Sequence, residues 1–243
     1  MAIMLALHAI ATTSTAQDTS AAKDVADLIR TGQRSNFNKE FPKAVETFSR
    51  AASLDPKNSL AYLGRGIALA ELKQLNDAVA DLDRSIKLNG HNPNAFLARS
   101  FVRSELGDQK GALEDLNSSI KLFPANLSAY DDRAFVRIRL GDYSGAIEDC
   151  DTVIEASSQT SAAYINRAYS NEKLGREAAA LDDYTKAIDL GAENGLPFKN
   201  RGAVRQRLGD LKGALSDYSR ALQFEPDNQT LSTLVANLRT KLD

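Results

Sequence analysis

LGDQKGALEDLNSSIKL (Leu106–Leu122), LGDYSGAIEDCDTVIEA (Leu140–Ala156), LGREAAALDDYTKAIDL (Leu174–Leu190) and LGDLKGALSDYSRALQF (Leu208–Phe224) align without a gap, each starting 34 residues after the last. A constant interval of that length marks stacked supersecondary units. Extending the frame in both directions gives six units: 25–58, 59–92, 93–126, 127–160, 161–194 and 195–228. An alanine recurs as Ala44, Ala78, Ala112, Ala146, Ala180 and Ala214. An aromatic recurs as Tyr62, Phe96, Tyr130, Tyr164 and Phe198. Four places on stands a small residue, Gly66, Ser100, Ala134, Ala168 and Gly202. A large group beside a small one, a turn away, predicts close helix approach, the large side chain filling the space the small one leaves.

Each unit reads as two helices. The first runs from the aromatic to the Leu-Gly pair, where glycine ends a helix at low strain. The second covers the GALEDL-type stretch and stops near Pro56, Pro124, Pro226 or their substitutes, because proline cannot continue a helix. Two amphipathic helices of about 12 residues cannot bury their apolar faces alone, so the core must come from stacking on the next copy. Residues 229–243 carry Leu231, Leu234, Val235, Leu238 and Leu242 on one helical stripe, which predicts a helix capping the last repeat.

These recurring positions, with the alanines Ala51, Ala187 and Ala221 and the proline at Pro56, resemble the tetratricopeptide repeat family over 25–228. The resemblance implies an all-α, right-handed superhelical solenoid whose concave groove is lined by the first helix of each unit. It also implies binding of peptides or partner proteins. Positions 5, 9, 12 and 13 of each unit would line that groove: Leu63, Ile67, Leu97, Phe101, Asp131, Phe135, Ile138, Arg139, Ile165, Tyr169, Lys173, Lys199 and Arg207 among them. Position 9 forms an apolar ladder of Ile67, Phe101, Phe135 and Tyr169. Its cover is open among three readings: core between neighbouring first helices, a peptide with apolar anchors, or the chain's own N-terminal segment or a second copy. Arg139, Lys173, Lys199, Arg205 and Arg207 make one end basic, which suits a ligand with an acidic flank. The carboxylate clamp that some members use for chaperone tails is not expected. Asn166 and Asn200 fit it, but Asp131, Phe135 and Leu196 occupy the accompanying positions.

The copies also align the chain with itself. A charged couple recurs as Arg65 with Asp81, Arg99 with Asp115, Arg133 with Asp149, Arg167 with Asp183, and Arg201 with Asp217. In the first unit both members are replaced together, by Thr31 and Thr47. Joint presence and joint absence predict an ion pair between the two helices of a repeat, the guanidinium fork bonding the carboxylate. The alternative is a row of ligand-binding arginines.

Composition narrows the function classes. The net charge of −2 gives no basic excess, so nucleic acid is not an expected partner. Cys150 is the sole cysteine, and His8 and His91 are too few and too separated for a metal site. Paired acids such as Glu148-Asp149 recur at the repeat period and read as structural. No catalytic residue and no cofactor are expected, and no membrane span is long enough. The apolar stretch Met1–Ala11, followed by small residues at Ser14 and Ala16, reads as an export signal over 1–16 and a linker over 17–24, although no Lys or Arg precedes Lys23. That predicts a periplasmic or secreted protein. The alternative is a cytoplasmic protein with an N-terminal tail. The functional expectation is a non-catalytic scaffold for a peptide or protein, with a self-assembling homo-oligomer as the alternative.

Overall fold

The computed structural model describes residues 22–191 and 194–243. Residues 1–16, read above as an export signal, lie outside them. The chain divides into two compact units, Met1–Phe123 and Pro124–Asp243. In unit 1, α1 (22–37) and α2 (Phe41–Leu54) form the first hairpin, α3 (Ser59–Glu71) and α4 (Leu75–Leu88) the second, and α5 (Pro93–Glu105) and α6 (Gln109–Leu122) the third. Unit 2 holds α7 (Leu127–Leu140) with α8 (Tyr143–Ala156), α9 (Ser161–Lys173) with α10 (Glu177–Asp189), α11 (Leu196–Arg207) with α12 (Leu211–Phe224), and α13 (Gln229–Leu242). Helix α1 already includes residues 22–24, which corrects the expected linker to that extent.

Local sequence sets the helix ends. The Asn58, Asn92 and Asn228 side chains accept backbone N–H bonds from Leu60, Asn94 and Leu231 at the starts of α3, α5 and α13. Asp108, Asp142 and Asp210 do the same for Gly111, Gly145 and Gly213 in α6, α8 and α12. Such caps satisfy amides that the helix itself leaves unpaired. The glycines matter at this point. A Cβ on Gly145 would stand 2.2 Å from the Asp142 carboxylate.

Within each unit the recurring alanines are fully buried where two helices cross. The small residue of the first helix makes room for a different neighbour from the one expected. A Cβ on Gly66 would lie 2.8 Å from Leu82 Cγ, and one on Gly202 3.1 Å from the Tyr218 ring. The space is therefore filled from the second helix, not by the aromatic of the first. That aromatic lies instead under an arginine: the guanidinium carbons of Arg65, Arg99, Arg133 and Arg167 stand 5.6, 5.8, 5.4 and 5.4 Å from the ring centroids of Tyr62, Phe96, Tyr130 and Tyr164. Helix α13 buries Leu231, Val235 and Leu238 against Ala214, Tyr218 and Ala221, so the last hairpin is covered. Leu242, placed on the same stripe by its spacing, is exposed.

Candidate functional site: the first-helix faces

The arginine–aspartate couples are in contact. Arg65 Nε and Nη2 donate to Asp81 at 2.6 and 2.7 Å. Arg99 reaches Asp115 at 2.9 and 2.6 Å, Arg167 reaches Asp183 at 2.9 and 2.6 Å, and Arg201 reaches Asp217 at 3.0 and 2.7 Å. Arg133 bonds Asp149 through Nη2 at 2.6 Å and through Nε at 3.0 Å. Hydrogen bonding to the aspartate raises the pKa of Arg65, Arg133 and Arg167 above the ordinary arginine value. The first repeat shows what replaces the couple. Thr31 and Thr47 each donate to the carbonyl four residues back, at 2.8 Å, so each hydroxyl is satisfied on its own helix.

The couple does more than join one hairpin. Nη1 of the same arginine also reaches the second helix of the preceding repeat: Ser49 from Arg65 at 3.1 Å, Asp83 from Arg99 at 2.6 Å, Asp151 from Arg167 at 2.6 Å and Thr185 from Arg201 at 3.0 Å. One fork thus fastens three helices. A second arginine, not expected from the sequence, joins in three repeats. Arg103, Arg137 and Arg205 contact Asp115, Asp149 and Asp217 at 3.0, 2.9 and 2.9 Å. They also donate to the carbonyls of Gly111, Gly145 and Gly213. The signal was present: an arginine four residues after the first occurs in the repeats whose second helix opens Asp-x-x-Gly.

The residues expected in a groove divide into two groups. Leu63 is buried in the unit 1 core, and Ile138 and Ile165 pack against buried clusters in unit 2. For these three, an open groove position is corrected to packing. Leu97 and Lys199 are half-buried. Asp131 is half-buried too, and its Oδ1 accepts from Asn166 Nδ2 at 3.5 Å; burial raises its pKa. By contrast, Phe101 and Phe135 are 49% and 47% exposed, and Ile67 is open as well. Tyr169 is half-buried, with Lys173 Nζ 5.0 Å from its ring centroid and Tyr143 edge-on at 6.4 Å. Phe37, at the end of α1, is the most exposed of the large apolar residues among the described residues, at 87%. The divergence of the first repeat hid it from the sequence reading.

The basic row is smaller than its sequence count. Arg207 is 3.1 Å from Glu172 and 2.8 Å from Glu177, and Tyr184 holds Glu172 in place with a hydroxyl bond of 3.1 Å. Arg205 is committed to Asp217. Both are therefore removed from the set of open cations, while Arg139 and Lys173 remain exposed.

Other features carry less. Cys150 is fully buried, and burial pushes its thiol up to about 12, so it stays protonated near neutral pH. Among the described residues no cluster of His, Cys, Asp and Glu could hold a metal ion, and no helix is long and apolar enough to cross a membrane. A cavity of about 750 Å³ lies in unit 1 along α1, between Val25, Ile29, Leu54 and Leu60.

Comparison with known proteins follows the same lines. A tetratricopeptide repeat family model matches residues 38–93 and 132–195. No curated protein matches the sequence. Among solved structures, pilF of Pseudomonas aeruginosa superposes with a TM-score of 0.77 at 12% identity, over 91% of this chain and 99% of that one. A chain of the APC/C hetero-tetramer Cut9–Hcn1 gives 0.73 at 18%, over 88% of this chain and 42% of that one. This chain therefore spans less than half of that relative. YrrB, described as a TPR protein with an unusual peptide-binding site, gives 0.67 at 16%, over 81% and 99%. At such identities the likeness is one of fold. The family-model match, with the 34-residue period and the hairpin repeat within each unit, establishes that the chain belongs to the tetratricopeptide repeat family.

Proposed function

We propose that the protein is a non-catalytic scaffold that binds a peptide or partner protein on its first-helix faces. The observation that carries this is the exposure of Phe101 and Phe135. Both occupy position 9 of their repeats, on helices whose other large apolar side chains, Leu140 apart, are buried or half-buried. Half-open rings at one recurring position fit docking anchors. The repeat fold is a general interaction scaffold, and YrrB is by its description a peptide binder. The conspicuous titratable groups pair with one another at the repeat period, which fits structure better than catalysis. Export is part of the proposal and rests on the Met1–Ala16 sequence; N-terminal sequencing of the mature protein tests it.

Crosslinking capture from the native host, run in parallel with wild type and the Phe101→Ala/Phe135→Ala double variant, tests the scaffold reading. Partners lost from the variant support it. An unchanged set of partners counts against it. Light scattering separates the alternative: a mass that is a multiple of 26.3 kDa and falls to one copy in the double variant means that the rings bind a second copy.

A further inference from the structure

Helices α7 and α9 each carry an aromatic ring and a cation four residues apart: Phe135 with Arg139, and Tyr169 with Lys173. Residues at that spacing share a helix face. The two pairs fall at the same two positions of consecutive repeats, so unit 2 presents the motif twice, on helices spaced about 8–10 Å apart by ordinary packing. Lys173 lies over its own ring at 5.0 Å, and Tyr143 closes the corner edge-on. Arg139 and Lys173 are exposed, and among the described residues neither has a carboxylate partner. The third cation of the row, Arg207, is neutralised by Glu172 and Glu177. Within the row, Lys199 is half-buried, so the exposed cations without a carboxylate partner are the two beside the aromatic rings.

We propose, resting on the peptide-binding reading above, that this face of unit 2 selects an extended peptide carrying a large apolar side chain next to an aspartate or glutamate. The apolar side chain lies against Phe135 or Tyr169, and the carboxylate meets Arg139 or Lys173. Charge complementarity argues for this occupant. Two open cations match one or two carboxylates. A nucleic acid would present a longer run of phosphates than they could neutralise, on a chain whose net charge is −2.

Selection of random dodecapeptides displayed without a free C-terminal carboxylate, on the full-length protein, tests the claim. Peptides enriched in an aromatic or large aliphatic residue beside Asp or Glu are expected. An acidic binder should weaken roughly tenfold against Arg139→Glu/Lys173→Glu, and reselection on that variant should enrich Lys and Arg instead. The Arg139→Gln/Lys173→Gln variant, checked for helicity, should lose the preference for acids without gaining one for bases. Enriched binders with no acidic preference would overturn this inference while leaving peptide binding intact. An absence of enriched peptides would overturn both. Binding only of peptides synthesised with a free C-terminal carboxylate would overturn it, because the carboxylate recognised would then be a chain end. A homo-oligomer dissolved by the charge reversal would make a second copy the occupant and would also overturn it.

Discussion

Units 1 and 2 are built on one repeat, yet one exposed position of their first helices, the thirteenth, has one sign in α3 and α5 and the other in α7 and α9. In α3 and α5 the apolar residue at position 9 is followed four places later by an acid: Ile67 with Glu71, and Phe101 with Glu105. In α7 and α9 the same step leads to a base, Arg139 or Lys173. Burial in the hairpin does not depend on this sign, because position 13 is exposed in all four helices, although Glu105 also accepts from Lys73 Nζ at 2.9 Å. The buried positions tell the reverse story. The alanine at position 20 is invariant across both units and fully enclosed. What the fold needs is constant, and what it leaves free is where the units diverge.

The largest expected effect comes from the polar staple inside the repeats. Asp149 has a side chain 2% exposed and takes bonds from both Arg133 and Arg137. Asp81 is 12% exposed and is paired with Arg65 alone. Removing a carboxylate from a buried cluster leaves guanidinium charge uncompensated, a loss of about 3–5 kcal/mol. Asp149→Ala should approach that range, and Asp81→Ala should cost less. Hydrogen exchange read separately over the two units is the suitable measurement, because repeat arrays need not unfold in one step. Protection should fall mainly in unit 2 for the first variant and in unit 1 for the second. Equal, small losses in both would show the staple to be no stronger than a surface pair.

The sequence made the hairpins and the principal couples legible because every copy repeats the same physical constraint. Self-alignment therefore separated Arg133 and Asp149 from surrounding charges. It failed where the signal was not shared by all copies. Arg103, Arg137 and Arg205 occur in three repeats and need the glycine carbonyl beside them, a contact between helices that spacing alone does not reveal. Leu63 was placed in the groove by its position number, but burial is decided by the neighbouring helix. Net charge was a poor guide to the open cations, since Glu172 and Glu177 reach Arg207 across helices.

A smaller effect lies in the backbone between the paired helices. The residue there is left-handed: Lys39 and Lys73 have φ of 60°, whereas the corresponding Gly141 has φ of 82°. A side chain in this region costs about 1–2 kcal/mol relative to glycine. Lys39→Gly should therefore raise the stability of unit 1 by roughly 1 kcal/mol, and Gly141→Ala should lower that of unit 2 by a similar amount. Denaturant midpoints of the two variants should move in opposite directions. A shift of the same sign in both would mean that strain at this turn is released elsewhere.

The smallest effect on the fold is expected where the largest effect on binding is proposed. Phe101 and Phe135 leave 49% and 47% of their surface in water, so truncation forfeits only part of the burial energy of a ring. Alanine is also a better helix former than phenylalanine by about 0.5 kcal/mol, which offsets some of that loss. Each single alanine variant should therefore change stability by less than about 1 kcal/mol, against about 3–5 kcal/mol for a fully enclosed phenylalanine. Thermal unfolding of the two variants distinguishes the cases. A loss in the upper range would mean that the rings serve as packing between first helices. A negligible loss accompanied by lost peptide binding would mean that Phe101 in unit 1 and Phe135 in unit 2 act as apolar anchors for a ligand and not as packing.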